Sequence, residues 1–147
     1  MTQKRASGNK RWLWLGILGV MIMVLVAACG TAPAAQDVAV KEPLPNEISV
    51  DQAYELYEEG TFLLDVRTPE EWDDYHIEGT TLIPLDELES RVDELPQDEE
   101  IVVVCRSGNR SQVGRDILRQ AGISQSTSMA GGVKAWYAAG YPTVGSP

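Results

Sequence analysis

A chain of 147 residues with 22 acidic and 12 basic residues and one histidine carries a formal charge of −10, and its length leaves room for one ordinary domain. All the acidic residues lie beyond Cys29, whereas Lys4, Arg5, Lys10 and Arg11 precede it, so the later part is strongly acidic and nucleic acid is excluded as a partner. Such acidity keeps an exported domain soluble and makes any locally basic loop conspicuous.

The chain opens with a polar, basic segment ending at Lys10-Arg11, followed by the apolar run Trp12 to Ala28. This is the order of a charged n-region and an apolar h-region. At about seventeen residues the run sits at the low edge of what spans a bilayer, so an uncleaved anchor is one reading. Val26-Ala27-Ala28-Cys29 supplies the other, because small residues before a cysteine resemble the lipobox of bacterial lipoproteins. That resemblance implies a signal peptide over residues 1–28 and lipidation of Cys29. The domain is then expected to be exported and lipid-anchored to the cell membrane or outer membrane, facing the periplasm or exterior. Only two cysteines exist. Acylation of Cys29 leaves Cys105 as the only free thiol; otherwise an oxidising compartment allows a Cys29–Cys105 disulfide.

From Gly30 to Pro45 the composition turns to Ala, Pro, Gln and small polar residues, so residues 29–45 read as a lipidated end and flexible tether. After Asn46, short β-rich runs alternate with helical patterns, the sequence form of βαβ units, and predict an α/β domain with a parallel sheet over residues 46–143. Glu47 to Ser49 is a short first strand. Ser49 and Gln52 then form a capping box for a helix with Ala53, Leu56 and Tyr57 on one face, ended by Gly60. Phe62 to Val66 is a buried strand, and Thr68-Pro69-Glu70-Glu71 supplies the cap, first-turn proline and capping-box acid of a short helix. Thr81 to Ile83 is a third strand, and Leu85, Leu88 and Val92 mark an amphipathic helix stopped near Pro96.

Ile101-Val102-Val103-Val104 is wholly apolar and β-branched, which predicts a central strand covered on both faces and leading directly to Cys105. A helix is expected over Ser111 to Ala121, with Val113, Ile117 and Leu118 on its apolar face and Gly122 after its end; Thr127 to Met129 and Val133 to Ala139 supply a last strand and helix. A strand that ends in a short Gly-containing loop before a helix aims backbone N–H groups at one spot, at the positive end of the helix dipole. With Arg106 and Arg110 in the loop, Cys105 is expected to favour the thiolate. The only histidine, His76, lies far upstream, so Cys-His proteolysis and dithiol redox chemistry are poorly supported.

Leu64-Asp65-Val66-Arg67, His76-Ile77-Glu78-Gly79, Cys105-Arg106-Ser107-Gly108-Asn109-Arg110-Ser111 and Gly131-Gly132-Val133-Lys134-Ala135-Trp136, in that order, resemble a single-domain rhodanese. The resemblance implies a three-layer α/β fold, a central parallel sheet with helices on both faces, and sulfur transfer through a Cys105 persulfide. Cys105 would be the catalytic residue and Arg106, Ser107, Gly108, Asn109, Arg110 and Ser111 the substrate-binding loop, with Arg106 and Arg110 neutralising a donor such as thiosulfate. The implied partners are a small sulfur donor and a thiophilic acceptor; no metal or cofactor is implied, and a monomer is expected. The same resemblance offers a non-enzymatic persulfide carrier as an alternative. It also offers a phosphatase or arsenate reductase, disfavoured because those relatives carry a Cys-x5-Arg loop and this chain has Cys105-x4-Arg110.

Other motif residues are expected to be structural. Asp65 and Arg67 should pair at a strand end, His76 should make a structural hydrogen bond, and Trp136 should lie in the core. Gly131-Gly132 should permit close approach to the Cys105 loop. Arg115 and Arg119 are expected on a solvated helix face where their loss would matter little.

Overall fold

The computed structural model describes residues 42–147. Cys29, the expected signal peptide and most of the expected tether lie outside them. The wholly apolar run Ile101 to Val104 forms β5, with every residue fully buried, because a strand that alternates its side chains needs apolar cover on both faces. Ile101 and Val103 join Leu64, Val66, Leu88 and Leu118 on one face, and Val102 and Val104 join Ala53, Leu63, Met129 and Trp136 on the other. This is the covered central strand that the sequence predicts.

Around β5 the sheet is parallel throughout, in the order β1 (Glu47–Ile48), β6 (Ser126–Met129), β5, β2 (Phe62–Asp65) and β4 (Thr81–Leu82). The helices are α1 (Val50–Glu58), α2 (Pro69–Asp74), α3 (Leu85–Arg91, followed by a 3-10 turn over Val92–Glu94), α4 (Asn109–Gln120) and α5 (Gly132–Ala138). Both expected capping boxes form, Ser49 with Gln52 at α1 and Thr68 with Glu71 at α2. The result is the α/β architecture the sequence implies, a central parallel sheet flanked by helices.

Two short strands were not legible. β3 (Tyr75–Ile77) and β7 (Thr143–Gly145) form a separate antiparallel pair. Each is too short to show a period of two, and each forms only because the fold brings the chain after α2 beside the chain after α5.

Helix α4 differs from expectation in two ways. It begins at Asn109 rather than Ser111, so the second half of the Cys105 motif is its first turn. Its inward face carries Ser111, Gly114, Arg115 and Leu118, whereas Val113 is 51% exposed. Gly114 explains the change: a Cβ there would stand 3.0 Å from Val103 and 3.3 Å from Val66, so the helix meets the sheet through its small residue rather than its branched one.

Arg115 and Arg119 also correct the sequence reading. Arg115 is only 9% exposed and donates to the carbonyl of Asn46 (2.6 Å) and the hydroxyl of Ser128 (3.3 Å). Arg119 donates to the carbonyls of Ser126 and Leu44 (2.6 and 2.8 Å) and to the side chain of Asn46. The two arginines fasten α4 to the segment entering β1 and to β6 through backbone carbonyls. Arg115→Ala and Arg119→Ala are each expected to lower unfolding free energy by about 1–3 kcal/mol, read by chemical denaturation; a change within error would return them to a solvated face.

Candidate active site

Cys105 follows the last residue of β5 and is 1% exposed, a free thiol beneath a loop of three residues. Gly108, at φ 102°, turns that loop into α4 and donates its backbone N–H to Cys105 Sγ at 3.2 Å. The left-handed conformation is why glycine serves here: it points the amide at the sulfur without a Cβ penalty. Ser111 lies behind, its hydroxyl 3.7 Å from Sγ and donating to the Gly108 carbonyl at 2.7 Å. A hydroxyl hydrogen can rotate, so Ser111 can accept from a thiol or turn to donate to a thiolate. The sulfur thus faces an amide, a rotatable hydroxyl and the positive end of a twelve-residue helix, an arrangement that suits negative charge on sulfur.

The loop is held from outside by α5. The carbonyls of Cys105 and Arg106 accept from the backbone N–H groups of Val133 (2.8 Å) and Lys134 (3.2 Å). These contacts require Gly132, at φ 60°, because a Cβ there would overlap the Cys105 carbonyl oxygen and stand 2.6 Å from the Ser107 nitrogen. The expected close approach of Gly131-Gly132 to the loop is therefore present. Gly132→Ala is expected to cost about 3 kcal/mol through overpacking and positive φ, and to displace the loop, read together as a lowered midpoint in urea and faster alkylation of Cys105.

Of the expected loop residues, Gly108 and Ser111 reach the sulfur, while Ser107 and Asn109 are exposed. Arg106 is exposed and lines a cavity of about 260 Å³ with Arg67, Glu71, Asp74, Tyr75, Lys134 and Pro147. Arg110 makes a bidentate bridge with Glu71, itself on the wall of that cavity, at 2.7 and 2.8 Å. Glu71 was legible only as a capping residue; its second role needs a partner 39 residues away. The hydrogen-bonded Arg110 guanidinium holds the Glu71 carboxyl below the usual carboxylate range, and the pairing keeps Arg110 charged.

Asp65 and Arg67 pair as expected, and burial makes the pair structural. Arg67 is 1% and Asp65 0% exposed, and the guanidinium contacts both carboxylate oxygens at 2.7 to 3.0 Å. Two further N–H groups donate to the carbonyls of Glu71 (2.8 Å) and Tyr75 (2.9 Å). His76 is structural too: Nδ1 lies 2.9 Å from the Trp72 carbonyl and its ring stacks on Trp72 with centroids 3.5 Å apart. Trp136 is fully buried.

Fold and site together define a class, an α/β domain that presents one thiol at the end of its central strand without an adjacent histidine or second cysteine among the described residues. The sequence profile described as Rhodanese-like domain matches residues 49–139, and the chain belongs to this family. It is 33% identical over 117 residues to thiosulfate sulfurtransferase 16, chloroplastic, of Arabidopsis thaliana, covering 71% of this chain and 98% of that protein. It is 35% identical over 79 residues to the putative sulfur carrier protein YrkF of Bacillus subtilis, covering 54% of this chain; the match spans 43% of that relative, less than half its length. Among solved structures it matches a rhodanese-related protein from Thermoplasma volcanium with a TM-score of 0.63 at 32% identity, covering 68% of this chain and 98% of that one. The relatives are named as a sulfurtransferase and a putative sulfur carrier.

The Glu71–Arg110 bridge makes a pH prediction. Because the folded-state value of Glu71 is lowered, the bridge contributes stability that is complete above the unfolded carboxylate value and is lost as pH falls through the lower folded one. Glu71→Gln, which leaves a polar side chain, should lower stability by about 1 kcal/mol near neutrality and show no difference from wild type at strongly acidic pH. Denaturation midpoints across pH check this; a difference that persists in acid would show that Glu71 acts by packing alone.

Proposed function

We propose that this chain takes sulfane sulfur from thiosulfate or a similar small donor onto Cys105 and passes it to a thiophilic acceptor. The observation that carries the reading is the Gly108 N–H on Cys105 Sγ at the head of α4, which supports both a thiolate and a persulfide anion in one place. The thiolate attacks the outer sulfur of the donor, forming an S–S bond. The donor's own S–S bond breaks, and its electron pair leaves with sulfite. An acceptor then attacks the terminal sulfur, and Cys105 departs as the thiolate it was.

The four-residue spacing from Cys105 to Arg110 supports sulfur over phosphoryl or arsenate chemistry, and Glu71 already pairs with both terminal nitrogens of that arginine. The Arg106 side chain remains available to a donor. We further propose that the domain works at a membrane, exported and anchored through lipidated Cys29, as a monomer.

The burial of Cys105 favours a second reading, a persulfide carrier that opens to a protein donor and turns over small donors slowly. One experiment separates the readings. The full chain is incubated with thiosulfate and cyanide, following thiocyanate release and the gain of one sulfur atom by mass spectrometry. The enzyme reading expects both, lost in Cys105→Ser; sulfur gain with negligible thiocyanate supports the carrier, and neither product from wild type refutes both.

A further inference from the structure

We infer that Lys134, on α5, is the second donor-binding cation of this site and selects doubly charged anionic sulfur donors; the inference rests on the sulfur-transfer reading. Cations in this acidic domain are almost all engaged. Arg67 pairs with Asp65, Arg91 with Glu87 and Glu94, Arg110 with Glu71 and Arg115 with Asp116, while Arg119 is spent on backbone carbonyls. Among the described lysines and arginines, only the side chains of Arg106 and Lys134 make no hydrogen bond or ion pair. Both are exposed, and both line the same cavity beside the Cys105 loop.

Their proximity is built into the backbone. Lys134 N–H donates to the Arg106 carbonyl at 3.2 Å, next to the Val133 bond to the Cys105 carbonyl. A substitution of the Lys134 side chain leaves that bond in place. Arg67 and Glu71, which also line the cavity, are neutralised by Asp65 and Arg110, so Asp74 and the carboxyl end of Pro147 face the two free cations. A small anion that bridges Arg106 and Lys134 meets two cations with no side-chain partner of their own, and two cations favour a dianion over a monoanion. Arg110 is the poorer second cation because the Glu71 carboxylate already neutralises it.

The test compares two donors on the full chain, thiosulfate with two negative charges and methanethiosulfonate with one. Single-turnover mass spectrometry reads the second-order rate of Cys105 sulfur loading. Lys134→Gln is expected to slow loading from thiosulfate about three- to tenfold, the range for one exposed charge contact, and to slow methanethiosulfonate by about twofold or less. Lys134→Arg should restore the preference. Loading at the wild-type rate from both donors, or equal slowing of both, overturns the role of Lys134 while leaving sulfur transfer intact. Failure of the wild type to load from either donor instead overturns the sulfur-transfer reading and this inference with it.

Discussion

Arg67 is the residue on which the arrangement around Cys105 depends. A guanidinium removed from water is tolerable only if its charge is met and its N–H groups find acceptors, and here Asp65 meets the charge while the Glu71 and Tyr75 carbonyls each take a further donor. One side chain therefore ties the end of β2 to the last turns of α2 and the start of β3. It also fixes where Glu71 stands, and the Glu71 carboxylate holds Arg110 on the first turn of α4. The chain of contacts runs from the sheet, through a buried cation, to the helix that carries the Cys105 loop.

The second support comes from the opposite side and is steric rather than electrostatic. Gly132 lets α5 lie against the Cys105 loop closely enough for two main-chain hydrogen bonds. With α4 seated on Val103 through Gly114, both walls of the loop are set by glycines that admit backbone or sheet where a side chain would not fit. A loop held this way presents its amide to sulfur without reorganising, which is what a site for an anionic intermediate requires.

Much of this was legible locally. The β-branched run before Cys105, both capping boxes, the Asp65–Arg67 pairing and the structural placing of His76 and Trp136 each follow from neighbours a few residues apart. The helix after the loop starts two residues earlier than its apolar period indicates; Ile117 and Leu118 face the core as that period requires but Val113 does not, because periodicity cannot show that Gly114 seats the helix on the sheet. Arg115 and Arg119 looked like a solvated face for a similar reason: their acceptors are carbonyls around Asn46 and Ser126, and a carbonyl has no signature in a sequence.

The sequence by itself determined the fold class and the place of Cys105 at the end of a central strand, because these follow from short-range periodicity, while the ordered motifs carried the resemblance to the family. Only the tertiary structure decided which cations are free. Glu71 meets Arg110, and Lys134 meets Arg106, across gaps that the parallel sheet order closes. Charge pairing is settled by distance in space, and in a parallel α/β fold the residues that gather at one end of the sheet come from loops far apart in the chain.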